Sequence, residues 1–304
     1  MVEFIMYHYV RELKSSKYPR IKGLDYSCFL DQIDYLKKTY RILSIEDFIN
    51  NDFDNSKKNC VLTFDDGYID HYEYIFPTLI ENNIKGAFYT PVDTINENVL
   101  LDVNLIHIIL ASEEEFKILN RIIFHYENME LKVPINHYIG SINTNSRYDT
   151  KTTIIIKRLL QTALPLEVRV KICRYLLNDF LDETEKDLSK SFYLSKKNIH
   201  EMISDGMHFG SHGKSHFWFS SLKRFEQERE IKSSIEFLSS LYNDKFDLTM
   251  CYPYGDYNKD TLDLLKEYNF KIALTTKQGT FDPNRDSILE IPRWDTNDYY
   301  PIKK

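Results

Sequence analysis

Residues 60–90 confine this chain to an α/β fold built on parallel strands. Cys60-Val61-Leu62-Thr63-Phe64 is a short apolar run and reads as a buried strand. A helical stretch follows from about Ile69 to Glu81, and Gly86-Ala87-Phe88-Tyr89-Thr90 reads as a second strand. Strand, helix and strand in immediate succession form a βαβ unit, whose strands run parallel. Phe4-Ile5-Met6-Tyr7 reads as an earlier strand, and Ser27 as the cap of a helix bearing Phe29, Ile33 and Leu36. The rhythm returns after residue 195. A helix near Asn198–Ser204 precedes Met207-His208-Phe209-Gly210, and one near Leu222–Leu241 precedes Leu248-Thr249-Met250-Cys251. A third near Lys259–Tyr268 precedes Ile272-Ala273-Leu274, and Ile288-Leu289-Glu290-Ile291 reads as the last strand.

Residues 95–190 lose the strand rhythm and read as mostly helical, including Ile154–Thr162 and Leu166–Leu181, with Pro165 at the helix start where a missing N–H costs little. The expectation is one domain over residues 1–304, an α/β barrel closed or nearly so, with residues 95–190 as a helical insertion beside it. That insertion suits a lid, a substrate platform or an oligomer interface, and the sequence sets no oligomeric state.

Charge and composition narrow the partners. The net charge is −7 and no Lys/Arg cluster joins an aromatic platform, which argues against nucleic acid. No apolar stretch approaches the roughly 20 residues of a membrane span. The N-terminal Met1-Val2-Glu3-Phe4-Ile5 has no basic segment ahead of an apolar run, and Cys28, Cys60, Cys173 and Cys251 show no metal-type pairing. Both point to a reduced, cytoplasmic protein.

Three motifs stand at strand ends, the rim that carries the chemistry in α/β folds. Asp65-Asp66-Gly67 follows the Cys60–Phe64 strand. Two neighbouring carboxylates repel unless something positive divides their roles, so an ion or an arginine is expected beside them; taken alone, Asp-Asp-Gly is simply a turn. Ser211-His212-Gly213-Lys214-Ser215-His216 sets two imidazoles four residues apart, a chelating spacing if the segment is a helical turn. With Asp66 they make a His₂Asp set that leaves one position open, as in catalytic zinc sites. Tyr252-Pro253-Tyr254-Gly255 is a rigid turn able to aim a backbone N–H at a reacting centre.

In that order, each after an apolar strand, these motifs resemble those of the polysaccharide deacetylases, also called NodB-homology proteins or family-four carbohydrate esterases. The resemblance covers roughly residues 1–94 and 195–300. It implies a distorted (β/α)7-type barrel, a metal-dependent hydrolase that removes acetyl groups from amino sugars, Asp65 as catalytic base, and Asp66, His212 and His216 as metal ligands. It also implies that the Tyr254 N–H serves the oxyanion. Zinc is the expected ion, with cobalt, nickel or iron(II) suited to the same donors. Two departures stand out: Cys251 replaces the arginine that many members place near the Pro-Tyr-Gly turn, and no histidine follows His216. An early Tyr7-His8 is similar to the circularly permuted branch that includes poly-N-acetylglucosamine deacetylases, which makes His8 the candidate general acid. Arg293, in Pro292-Arg293-Trp294-Asp295 after the last strand, is the candidate substitute for the missing arginine, with Asp295 either in the same network or simply its surface partner.

The expected reaction is N-deacetylation in surface-polysaccharide assembly, on an N-acyl amino sugar carried by a nucleotide, a lipid or an oligosaccharide. N-deformylation, O-acetyl ester hydrolysis and non-catalytic carbohydrate binding are the alternatives.

Overall fold

The computed structural model describes residues 1–53, 57–146, 149–243 and 245–298. The last residues of the expected domain, 299–304, lie outside the described residues. The chain forms two compact units, one from Met1–Glu12, Gly23–Val99 and the residues from Lys190 onward, the other from Leu13–Lys22 and Leu100–Ser189.

Among the described residues the main sheet of the first unit has eight parallel strands: β1 (Val2–Tyr7), β2 (Tyr40–Leu43), β3 (Lys58–Asp65), β4 (Ala87–Thr90), β5 (His208–Ser211), β6 (Thr249–Cys251), β7 (Ile272–Gln278) and β8 (Ile291–Asp295). Seven of them close in the order β1-β8-β7-β6-β5-β4-β3, with β3 pairing back onto β1. This is the expected (β/α)7-type barrel. β2 stands outside the ring, paired to the first half of β3 from Tyr40↔Lys58 to Leu43↔Val61, while β4 takes the second half from Thr63↔Ala87 to Asp65↔Tyr89.

Register decides which residues enter the barrel, because side chains alternate along a strand. Tyr7, Phe64, Phe88 and Phe209 are direct partners across β1, β3, β4 and β5. Their rings stack at centroid distances of 5.2, 4.7 and 5.4 Å, a continuous aromatic ladder on one face. The opposite face therefore carries Phe4 and Met6 along β1, Val61, Thr63 and Asp65 along β3, and His208 and Gly210 along β5, with His8 and His212 directly after their strands. That interior holds an apolar core that includes Phe4, Val61, Tyr89, Cys251, Leu274 and Ile291. A second core holds Ile231, Met250, Tyr252, Leu264 and Ala273, where helices Arg224–Leu241 and Lys259–Glu267 cover the sheet.

Several local expectations shift. Asp25, not Ser27, caps the helix Tyr26–Thr39, its side chain accepting from the Ser27 N–H. The last strand begins at Ile291, so Arg293 lies within it. The segment after β3 opens as a π-helical turn, His71–Ile75, before the α-helix Phe76–Glu81. The second unit is helical, with Asp102–Ser112, Glu115–Glu127, Lys151–Arg158 and Leu166–Phe180 burying Leu105, Ile109, Ile118, Ile122, Ile156, Ile172 and Leu176. Among the described residues no helix is long and apolar enough to cross a membrane.

Candidate active site

The carboxyl ends of β1, β3, β5, β6 and β8 bring their motifs to one place. Asp65 is the last residue of β3 and is buried. Its Oδ1 accepts from Arg293 Nη1 at 2.9 Å and its Oδ2 from Arg293 Nη2 at 2.7 Å, a bidentate pair from β8. Arg293 is itself fixed: its Nε donates to the Thr275 carbonyl at 2.8 Å and its Nη1 to Thr63 Oγ1 at 3.1 Å. Cys251 fits between the two, its thiol 3.3 Å from Asp65 Oδ2 and its sulfur 3.1 Å from Arg293 Nη2. Burial alone would raise the Asp65 pKa, but the guanidinium's charge and hydrogen bonds outweigh it and hold the carboxyl at about 2. Asp65 is therefore ionised at any ordinary pH. Asp295 takes no part in this pairing; its Oδ1 accepts from the Asn297 backbone and side chain at 2.7 Å.

Asp66 turns the other way because its φ is +76°, in the left-handed region that Asp tolerates better than most residues. Gly67 follows at φ +70°, and a Cβ there would stand 2.6 Å from Thr90 Cγ2, so only glycine completes this turn. Tyr254 and Gly255 repeat the device at φ +59° and +69°, with Thr276 Oγ1 in the space a Gly255 side chain would need. His216 is also left-handed, at φ +57°. Backbone strain thus collects at the three motifs, as it does where a site over-determines its geometry.

The two histidines are not on a helical turn. Residues 212–218 form an irregular loop, so the chelating arrangement comes from how that loop is pinned. The Lys214 and Ser215 N–H groups both donate to Glu230 Oε2 at 2.8 Å, and Ser215 Oγ donates to Asp93 Oδ2 at 2.7 Å. His212 Nδ1 donates to the Cys251 carbonyl at 2.7 Å, which leaves its Nε2 as a lone-pair donor. His212 Nε2 and His216 Nε2 each lie 3.2 Å from Asp66 Oδ1. Neither contact has hydrogen-bond geometry, and the buried Oδ1 has no hydrogen-bond partner among the described residues. Three lone pairs converging at this spacing suit a cation, since donors about 2.0–2.2 Å from a tetrahedral zinc sit roughly 3.3 Å apart. Asp66, His212 and His216 therefore fit a divalent ion. Tyr68, which the sequence does not single out, donates its hydroxyl to Asp66 Oδ2 at 2.5 Å and so leaves Oδ1 to face the imidazoles.

His8 stands at the open side, its Nε2 3.9 Å from Asp65 Oδ2 and its side chain 40% exposed. The Tyr254 ring packs 4.6 Å from His216 and stacks on Trp218 at 4.4 Å. Seven of the residues singled out in the sequence thus come together, His8, Asp65, Asp66, His212, His216, Tyr254 and Arg293, while Asp295 does not join them. Tyr68, Cys251 and Glu230 join them through contacts that local spacing does not reveal, although Tyr68 stands only two residues from Asp66.

Known proteins resemble this chain in part of its sequence and in its fold. Residues 166–273 match the family model described as Polysaccharide deacetylase. A Bacillus subtilis (strain 168) protein described as "Putative polysaccharide deacetylase YxkH" is 23% identical over 94 residues, 31% of this chain, and the match spans only about a third (33%) of that relative's length. Among solved structures, the Streptococcus pyogenes deacetylase PplD in complex with acetate aligns with a TM-score of 0.58 at 18% identity, covering 97% of this chain and 91% of that one. IcaB from Ammonifex degensii aligns at 0.54 and 17% identity, covering 96% and 90%. The family model thus covers about a third of the chain, and the solved structures share the fold of nearly all of it.

Proposed function

We propose that this protein is a metal-dependent N-deacetylase acting on an amino sugar in surface-polysaccharide biosynthesis. The observation that carries the reading is the pairing of two buried carboxylates with different partners: Asp66 Oδ1 facing two imidazoles, and Asp65 gripped by Arg293. A pure carbohydrate binder has no use for an ionised base beside a cation site.

Asp66, His212 and His216 would hold a divalent ion, zinc foremost, which supplies Lewis-acid activation of a water and of the acyl oxygen. Asp65, kept ionised and oriented by Arg293, takes the proton of the water that attacks the amide carbon. The Tyr254 backbone N–H, set by its left-handed conformation, faces the oxygen that gains negative charge. His8 gives a proton to the departing amine, which without it is a very poor leaving group. Water and amide thereby become acetate and a free amino sugar.

The experiment is acetate release from an N-acetylglucosamine oligomer, followed with metal analysis of the purified protein. Bound zinc or a similar ion, activity lost on chelation and restored by zinc or cobalt, and an Asp65→Asn variant slowed by about 10²–10⁴-fold are the expected results. Full turnover by Asp65→Asn would show that the base lies elsewhere.

A further inference from the structure

His8 poses a problem of placement. Its imidazole makes no hydrogen bond within the described residues, and its approach to Asp65 is 3.9 Å on a side chain 40% exposed. Two consecutive residues beyond β3 instead hold the chain at His8 and just after it. His71 Nε2 donates to the His8 carbonyl at 3.1 Å. Asp70 Oδ2 accepts from the Val10 N–H at 3.2 Å and from Arg11 Nε at 2.8 Å. Asp70 directly precedes, and His71 opens, the π-helical turn that follows the Asp65-Asp66 strand, a geometry frequent at functional sites.

His71 is a costly way to fill its position. It is fully buried against the rings of Phe64, Tyr68 and Phe88. Because a carbonyl takes its Nε2–H, Nδ1 carries no proton, and that atom has no partner among the described residues. An apolar side chain would fill the same aromatic pocket without a stranded polar atom. What an apolar residue cannot supply is the N–H to His8. We propose that Asp70 and His71 are positioning residues that clasp the segment after β1 and hold the His8 imidazole over Asp65. The clasp ties the proposed acid to the strand bearing the proposed base, so that both move as one body. This inference rests on the deacetylase reading above for its kinetic consequence, though not for its geometry.

The test compares His71→Leu, which deletes the donor, with His71→Gln, which keeps an N–H near the place of Nε2. Each full-length, zinc-loaded variant is assayed on an N-acetylglucosamine oligomer and on an aryl acetate, whose phenolate leaves without a proton. His71→Leu should lower kcat on the amide by about tenfold or more with KM within threefold, and leave the aryl ester within threefold. His71→Gln should recover most of the amide turnover. Equal losses on both substrates, or no loss on the amide, would overturn the proposal. If the wild type cleaves no amide, it is the deacetylase reading that fails, and imidazole NMR decides the clasp alone. His8 ring signals that shift in His71→Leu but not in His71→Gln support it. Unchanged His8 signals in His71→Leu overturn it, as does an Nδ1–H tautomer of His71 in the wild type, which needs no variant to fold.

Discussion

At the scale of single residues, the site separates two adjacent carboxylates by giving each a different counter-charge. Arg293 holds both oxygens of Asp65, whereas Asp66 divides its own, Oδ2 to Tyr68 and Oδ1 to the imidazoles. The Tyr68 hydrogen bond orients Asp66 as a one-oxygen donor, and partners of this kind tune metal affinity by 10–100-fold. Tyr68→Phe should therefore weaken zinc binding by at least about tenfold in competition with a colorimetric chelator. The phenol ring is retained, so its stacking on Tyr9 at 4.1 Å should persist. Cys251 is intelligible at the same scale. A small thiol there leaves room for a guanidinium arriving from β8, so the arginine missing from one strand is supplied by another.

At the scale of elements, the histidine loop is held by a helix it does not belong to. Glu230, on Arg224–Leu241, accepts the two successive N–H groups of Lys214 and Ser215. Glu230→Ala strands both donors and should cost about 1–3 kcal/mol in urea unfolding, together with a drop in zinc affinity. Glu230→Gln keeps an acceptor oxygen and should stay close to wild type in both measurements. The elements themselves are largely legible in the sequence, because period-two and period-3.6 patterns are local. The legible part ends where loops begin. A His-x₃-His spacing suggests a helical turn, but the segment is a loop whose shape depends on Glu230 and Asp93, neither of which is near it in sequence. The last strand starts later than its sequence suggests for a related reason: Ile288 and Leu289 are apolar enough to read as strand, yet pairing with β7 begins only at Ile291.

For the whole molecule, stability should depend on pH through the buried His71. Burial holds its pKa down to about 4 against about 6.5 in an unfolded chain. Between these values the unfolded state binds the extra proton, so the stability gained from a neutral His71 is fully present above pH 6.5 and is lost as pH falls towards 4. His71→Gln lacks that titration. The stability difference between wild type and His71→Gln, from urea unfolding at pH 7 and pH 5, should move against the wild type by about 2 kcal/mol at the lower pH. A difference that stays constant would mean that His71 titrates in the fold as it does in the unfolded chain, and one that moves towards the wild type would mean that it is protonated in the fold.

Sequence alone determines most of the barrel's strands and helices, though not the Tyr40–Leu43 strand, and it sets three motifs at strand ends. These are properties of neighbours in the chain: apolar alternation, turn-forming Gly and Pro, and paired Asp or His. The tertiary structure decided which of those residues meet. Arg293 reaches Asp65 across 228 positions of sequence only because closure of β1 onto β3 and β8 turns both side chains inward at the same level. His71 reaches the His8 carbonyl only because the π-helical turn after β3 lies against the segment after β1. Both depend on register around a closed sheet, a long-range property that no local pattern encodes.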